Sequence, residues 1–231
     1  MNGEEGMNPI LSITDLQEGM KSLSGRSSEL SAKRELTRQK IVSTATEVFC
    51  SRGFRRATLE EIAEISGLSR GTLYTYAKTK ERLLLMAIAE ESLLHLDDYA
   101  VLYAPQISER ERLIQMVALG VTGFEERPLT SMVVRGELKL MDLLKTEESV
   151  AAAFPKFDKE AMLKQCIQEA TERTLSKTEI SEALEVIHVF GATGPQLLDT
   201  MKVLGLDPVV VSRRLATLVV NGLNNQAPKK A

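Results

Sequence analysis

The sequence of 231 residues predicts an all-α protein, and three observations carry that prediction. Apolar residues recur at three- and four-residue spacing through most of the chain, the periodicity of a helix with one buried face. Helix-start signals precede those runs: Thr58-x-x-Glu61, Ser108-x-x-Glu111, Ser176-x-x-Glu179 and Asp207-Pro208. Strand pairs, internal repeats and a glycine-rich phosphate loop are missing from the pattern. The length and a hydrophobic content of 43% fit one small helical domain followed by a larger one.

Residues 1–31 read as a flexible extension, because Gly, Ser and Asn dominate both of its ends. A short amphipathic helix is the alternative there: Ile13, Leu16, Met20 and Leu23 fall at 3-4-3 spacing behind Thr14-x-x-Gln17. From Thr37 to Ser51, Ile41, Ala45, Val48 and Phe49 share a face, with Cys50 beside it as a small core residue; Arg52-Gly53-Phe54 stops that helix. Thr58 then opens a short helix with the capping-box spacing to Glu61, and Leu59, Ile62 and Ala63 form its buried stripe. Gly67 stands where that helix must end, Leu68 plugs the corner, and Ser69 caps a second short helix. That second helix has little to bury except Leu73, so Arg70, Thr72, Tyr74, Thr75 and Tyr76 are left to touch something else. Two helices joined so tightly meet at a steep angle, and the second can project into a DNA major groove. An ordinary helical hairpin inside a core competes with that reading until the flanks are considered.

Beyond Lys80 every segment reads as helix. One runs from Thr79 to about Leu102 and is closed by Pro105; the next carries Leu113, Ile114, Val117, Val121 and Phe124 up to Arg127-Pro128. A third spans roughly Thr130 to Leu144, and a fourth, after Pro155, carries Phe157, Met162, Cys166 and Ile167. The fifth follows Ser176 and runs to about Leu204 with Gly205 as its stop; the last runs from Pro208 through Val220.

The order of signals from residue 36 to residue 84 is specific. A helix ends in Arg-Gly-Phe; Thr-Leu-Glu-Glu-Ile-Ala follows, then Gly-Leu-Ser-Arg-Gly-Thr-Leu-Tyr, then Lys-Thr-Lys-Glu-Arg-Leu. This stretch resembles the N-terminal DNA-binding domain of the TetR/AcrR family of bacterial transcriptional regulators. The resemblance implies that Arg70, Gly71, Thr72 and Thr75 face base edges, with Ser69 at the head of their helix. It implies that Tyr74 and Lys80 grip phosphates and that Thr58 begins its helix beside the DNA backbone. The chemistry is compatible: Arg70 can pair bidentately with a guanine, Thr72 can meet a thymine methyl, and Lys80 is a point charge for a phosphate. The family's Tyr-x-His-Phe ending is replaced here by Tyr74-Thr75-Tyr76-Ala77, in which Tyr76 can still donate to a phosphate while Ala77 replaces a large core residue.

With that resemblance, residues 32–80 form the helix-turn-helix domain, 81–224 a helical effector-binding and dimerisation domain, and 225–231 a flexible tail. The family pairs its last two helices with a two-fold mate, which assigns Ile187, Phe190, Gly191, Gly194, Leu198, Leu215 and Leu218 to a homodimer interface. A dimer also follows from the short reader, since two copies on a palindromic operator supply enough contacts for specificity. The middle helices are expected to enclose a pocket for a lipophilic or amphipathic effector. Its candidate lining is Met116, Leu119, Phe124, Met132, Met141, Phe154, Phe157 and Met162, with His95, Tyr99, Tyr103 and Arg135 as polar handles. The expected activity is repression relieved by ligand, through movement of the Thr79–Leu102 helix.

The charge distribution agrees with a nucleic-acid partner. The chain carries −3 overall, yet residues 26–82 carry about +5, so the basic charge is concentrated where the reader lies. Arg26, Lys33 and Arg34 are placed to follow an adjacent minor groove. Cys50 and Cys166 lack CxxC spacing and neighbouring His ligands, so no metal, cofactor or disulfide framework is indicated, and a redox role for Cys166 is a minor reading. With no export signal and no long apolar span, a cytoplasmic protein without membrane partners is expected. A Ser/His/Asp set and paired carboxylates are missing, which leaves an enzyme unlikely; turnover on lipophilic substrates would reveal a cofactor-free one. A helix-turn-helix kept only as scaffold for protein partners is the other alternative, and salt-sensitive DNA binding separates it.

Overall fold

The computed structural model describes residues 12–27, 31–104, 106–136 and 159–225, and all regular structure among them is helical. Among those residues the chain divides into two compact units, one of 14–97 with 126–136, the other of 98–125 with 159–225.

The first unit holds six helices: α1 (Ile13–Ser24), α2 (Ala32–Arg52), α3 (Leu59–Ile65), α4 (Arg70–Tyr76), α5 (Lys80–Leu94) and, later in the chain, α8 (Pro128–Val134). Its core joins Ile41, Ala45 and Phe49 of α2, Ile62 of α3, Leu73 of α4, Leu83 and Leu84 of α5 and Leu129 of α8. The unit therefore reaches past the boundary expected at residue 80. One long helix and two short ones alone bury too little apolar surface, and α5 adds a further apolar stripe.

The extension expected to be flexible contains α1, so the amphipathic alternative is the one observed. Leu23, with Met20, packs on Leu85 and Ala89 of α5. Arg38 of α2 is wholly buried beneath it. Its Nη1 donates to the carbonyl of Ser24 at 3.0 Å, its Nε and Nη2 donate to Glu35 at 2.8 Å each, and Glu90 lies 3.1 Å away. A buried cation is tolerated when it is paired with carboxylates and hydrogen-bonded in this way. Arg26, expected along a minor groove, pairs here with the same Glu90.

Helix α5 ends at Leu94 rather than continuing to Leu102; His95 caps it, and a short α6 (Asp97–Ala100) and a 3-10 turn follow. Asp97 and Asp98 disfavour a helix C-terminus and suit a new first turn. Helix α8 begins at Pro128 and stops at Arg135 and Gly136, whose φ of 73° is left-handed; the remainder of the expected Thr130–Leu144 helix lies outside the described residues. A carboxylate remote in sequence caps α8: Glu91 accepts from the backbone N–H groups of Leu129 (3.0 Å) and Thr130 (2.9 Å) and from the Thr130 hydroxyl (2.5 Å).

The second unit is built on α7 (Glu109–Thr122), α9 (Lys159–Glu169), α10 (Lys177–Val203) and α11 (Pro208–Asn225). Leu113, Ile114 and Val117 of α7 pack with Cys166 and Ile167 of α9, Leu184 of α10 and Val220 of α11. Helix α10 opens with the expected capping box between Ser176 and Glu179 and runs through Pro195.

Candidate nucleic-acid interface

Local chemistry builds the reader. Thr58 accepts from the Glu61 N–H at 3.2 Å and starts α3. The reciprocal half of the expected box is replaced by an ion pair, since the Glu61 carboxylate engages Arg52. Gly67 has φ 65°, and Leu68 N–H returns to the Ala63 carbonyl at 2.9 Å, closing α3 with the left-handed turn foreseen for it. Ser69 caps α4 by accepting from Thr72 N–H at 3.1 Å, and the two hydroxyls lie 2.9 Å apart.

Helix α4 is held by one apolar anchor, Leu73, which is completely buried. Arg70, Gly71 and Thr75 are exposed and Thr72 half-exposed. Among the described residues nothing bonds the Arg70 guanidinium. Thr75 donates its hydroxyl to the Thr72 carbonyl at 2.7 Å, which leaves its methyl and lone pairs facing outward. Tyr74 is exposed, with its hydroxyl 3.4 Å from Glu60 Oε1 at the start of α3. Beside this face, Ser31, Lys33, Arg34 and Thr37 from the start of α2 join Ser69, Gly71, Thr72, Thr75 and Tyr76 around a groove of about 640 Å³.

Two of the expected phosphate ligands have partners inside the protein. The Tyr76 hydroxyl donates to the Arg34 carbonyl at 3.1 Å, and its ring packs against the core beside buried Ala77. It ties α4 to α2 and fills the space left by the small alanine. Lys80 turns inward. Its ammonium donates to the carbonyls of Phe54 (2.8 Å), Ala57 (3.0 Å) and Arg55 (3.4 Å) and lies 4.5 Å from the centre of the Phe54 ring. An ammonium has three donors, and all three are taken.

This helix-turn-helix matches the model of the bacterial regulatory proteins of the tetR family over residues 41–87. The likeness to that family thus covers the DNA-binding segment, residues 41–87. Among curated relatives, the uncharacterised HTH-type transcriptional regulator YerO of Bacillus subtilis is 40% identical over 50 residues, covering 22% of this chain and 17% of that protein. The regulator SrpR of Pseudomonas putida is 40% identical over 58 residues, covering 25% of this chain and 27% of that protein. The chain thus spans under half the length of these curated relatives. Solved structures extend the likeness in fold. The transcriptional regulator FadR from Bacillus subtilis, in complex with stearoyl-CoA, superposes with a TM-score of 0.57 at 18% identity over 80% of this chain and 98% of that one. A tetR-family regulator from Rhodococcus RHA1 gives a TM-score of 0.56 at 20% identity over 86% and 100%.

The residues expected to line an effector pocket fall in both units. Met132 is buried in the core of the first, alongside Leu129 and Val133. His95 is partly buried there, with Nδ1 3.9 Å from Glu126 and its carbonyl accepting from Arg127 at 3.4 Å; Arg135 Nε donates to the Ser131 hydroxyl at 3.2 Å. Tyr99, Tyr103, Met116, Leu119, Phe124 and Met162 belong to the second unit, where Met116 and Met162 flank the α7–α9 core. Met141, Phe154 and Phe157 lie outside the described residues. Cys166 is buried, and desolvation pushes its thiol up to about 11, which argues against a redox role. Cys50 is exposed, contrary to the core position expected for it.

The dimer residues divide as well. Gly194 faces α7 of the same chain: a Cβ there would come within 2.0 Å of the Gly120 carbonyl oxygen and 2.7 Å of the Phe124 ring. A Cβ built on Gly120 would lie 3.8 Å from the Gly191 Cα in the same crossing, and Leu198 is buried against Val121 and Met201. Ile187, Phe190 and Leu215 also pack partly within the unit. Of the expected set, Leu218 stands out at 67% exposed. Exposed apolar residues that sequence reasoning did not name are Val186, Val189, Val203 and Leu204, on α10 and its connection to α11. An outward valine and an inward one look alike in a helix that is apolar on most sides, so no periodic signal separated them.

Proposed function

We propose that this chain is a sequence-specific DNA-binding regulator of the TetR family that works as a homodimer on a palindromic operator and is released by a small lipophilic or amphipathic molecule. The observation that carries the reading is α4: one buried leucine fixes it, while Arg70, Thr72 and Thr75 face solvent beside a groove edged by Lys33 and Arg34. A helix so lightly engaged with its own core has its side chains available for base edges. The net positive charge of the surrounding segment supports attraction to phosphates.

For the effector, the support is a likeness in fold to FadR, which was solved with stearoyl-CoA. The chemical class, an acyl chain with a polar head, is what the methionine- and phenylalanine-rich middle of the chain would suit. Ligand must bind the DNA-incompetent arrangement better for release to occur.

The reading is tested by selecting sites from a random duplex library with the wild-type chain, then measuring affinity for the selected site. Arg70→Ala should lose about 1–3 kcal/mol and relax preference at one base pair in each half-site. Recovery of no enriched sequence, or equal affinity of the variant, would refute it. Stearoyl-CoA added to the complex should lower operator affinity if the effector class is right; unchanged binding would remove that class.

A further inference from the structure

The inward turn of Lys80 leaves a vacancy in the chemistry of the reader, because the cation expected on a phosphate is occupied inside the protein. What Lys80 holds is the turn between α2 and α3: it receives the carbonyls of Phe54, Arg55 and Ala57, and its charge rests against Phe54, whose ring lies 5.6 Å from that of Phe49. A further bond from Ala57 N–H to the Gly53 carbonyl at 3.2 Å tightens the same turn. With its carbonyls drawn inward, the turn presents two consecutive side chains to solvent, Arg55 and Arg56, both exposed. Among the described residues neither guanidinium has a hydrogen bond or ion pair.

The neighbourhood favours an anion from outside. Arg52, nearby on α2, is already paired with Glu61. The turn leads directly into α3 at Thr58, and two residues later Glu60 meets the Tyr74 hydroxyl of the recognition helix. The arginine pair therefore lies at the end of α3 that adjoins α4. Two cations on a rigid turn bind a phosphate backbone at lower entropic cost than two on a loose one.

We propose that Arg55 and Arg56 are a phosphate-binding pair of this reader and that Lys80 is the positioning residue that holds their turn. This rests on the DNA-binding reading above. The ligand is the sugar-phosphate backbone of duplex DNA, engaged without sequence preference.

The test is a salt series of binding to a short fluorescein-labelled duplex of mixed sequence, using the full chain. Each phosphate contact contributes about 0.9 to the slope of log affinity against log salt. R55Q/R56Q should melt with the wild type, since these exposed side chains hold no hydrogen bond or ion pair among the described residues, and should flatten the slope by about 1.8. K80Q and K80R should each lower the melting temperature and weaken binding by a similar factor at every salt concentration, giving lines parallel to the wild type. A guanidinium fork cannot donate to three converging carbonyls, whereas it readily replaces an ammonium on a phosphate. If K80R binds like the wild type while K80Q flattens the slope, Lys80 is itself the phosphate ligand and the proposal fails. If R55Q/R56Q leaves a steep wild-type slope unchanged, the pair is not on the DNA, and only this proposal falls. A wild-type chain with no salt-dependent binding removes the DNA reading and the pair together.

Discussion

Gly71 occupies the first turn of α4, where helix propensity alone favours almost any other residue. A Cβ built there meets only the Ser69 hydroxyl oxygen at 3.8 Å, so the free protein has room for one. Glycine in a helix costs roughly 0.5–1 kcal/mol relative to alanine. Gly71→Ala is therefore expected to raise the melting temperature while weakening operator binding, because the space the glycine keeps open faces the groove. A variant that is more stable and binds equally well would show that Gly71 has no part in the approach to DNA. Arg70, Thr72 and Thr75 could be placed from sequence because α4 has a single apolar anchor, which fixes the outward face. Tyr76 and Lys80 could not. Each combines a polar tip with enough apolar body to turn inward, and sequence carries no mark of which way it goes.

At the scale of elements, helix starts were legible because caps are local: a hydroxyl at Ser69, Ser108 or Ser176 meets an N–H three residues on. The start of α10 carries a pH prediction. Hydrogen bonds from Arg173 and then from the Ser176 backbone and side chain hold the Glu179 carboxyl down at about 2, below its ordinary value of 4.5. A depressed folded value means the contribution is complete above the ordinary value and is lost as pH falls towards the folded one. Protection of the first-turn amides of α10 in hydrogen exchange should hold down to about pH 4.5 and fall as pH drops towards 2. Glu179→Gln should keep the box and lose that dependence; unaltered dependence in the variant would assign it elsewhere. The crossing of α10 over α7 carries a second prediction. Overpacking a tight contact costs typically 1–3 kcal/mol, and at Gly194 a methyl meets backbone at 2.0 Å, so the α7–α10 crossing must open. Gly194→Ala is expected to lower the melting temperature by at least that equivalent. Gly191→Ala, with nothing within 4 Å of its Cβ, should not.

For the molecule as a whole, the exposed apolar residues of α10 and α11 matter more than the pair of glycines. Val189 is 60% exposed, Val203 86% and Leu218 67% in the single chain, and exposed large aliphatic side chains of this kind support the proposed dimer. Sedimentation of the wild type should give a dimer at micromolar concentration, and Val189→Asp combined with Leu218→Asp a monomer whose operator affinity falls at least 100-fold. A double variant that stays dimeric would place the interface on another surface. No helix among the described residues is long and apolar enough to cross a membrane.

Sequence by itself determined the helical class, the serine and threonine caps, the left-handed stop at Gly67 and the outward row on α4, because each depends on residues within one or two turns of one another. Tertiary structure decided the rest. Lys80 finds its carbonyls up to 26 residues away, Tyr76 its partner 42 residues away, and the cap of α8 comes from Glu91 across 38 and 39 residues. A buried polar group takes whichever partner the fold brings within 3 Å, and that choice is made only when the helices have packed.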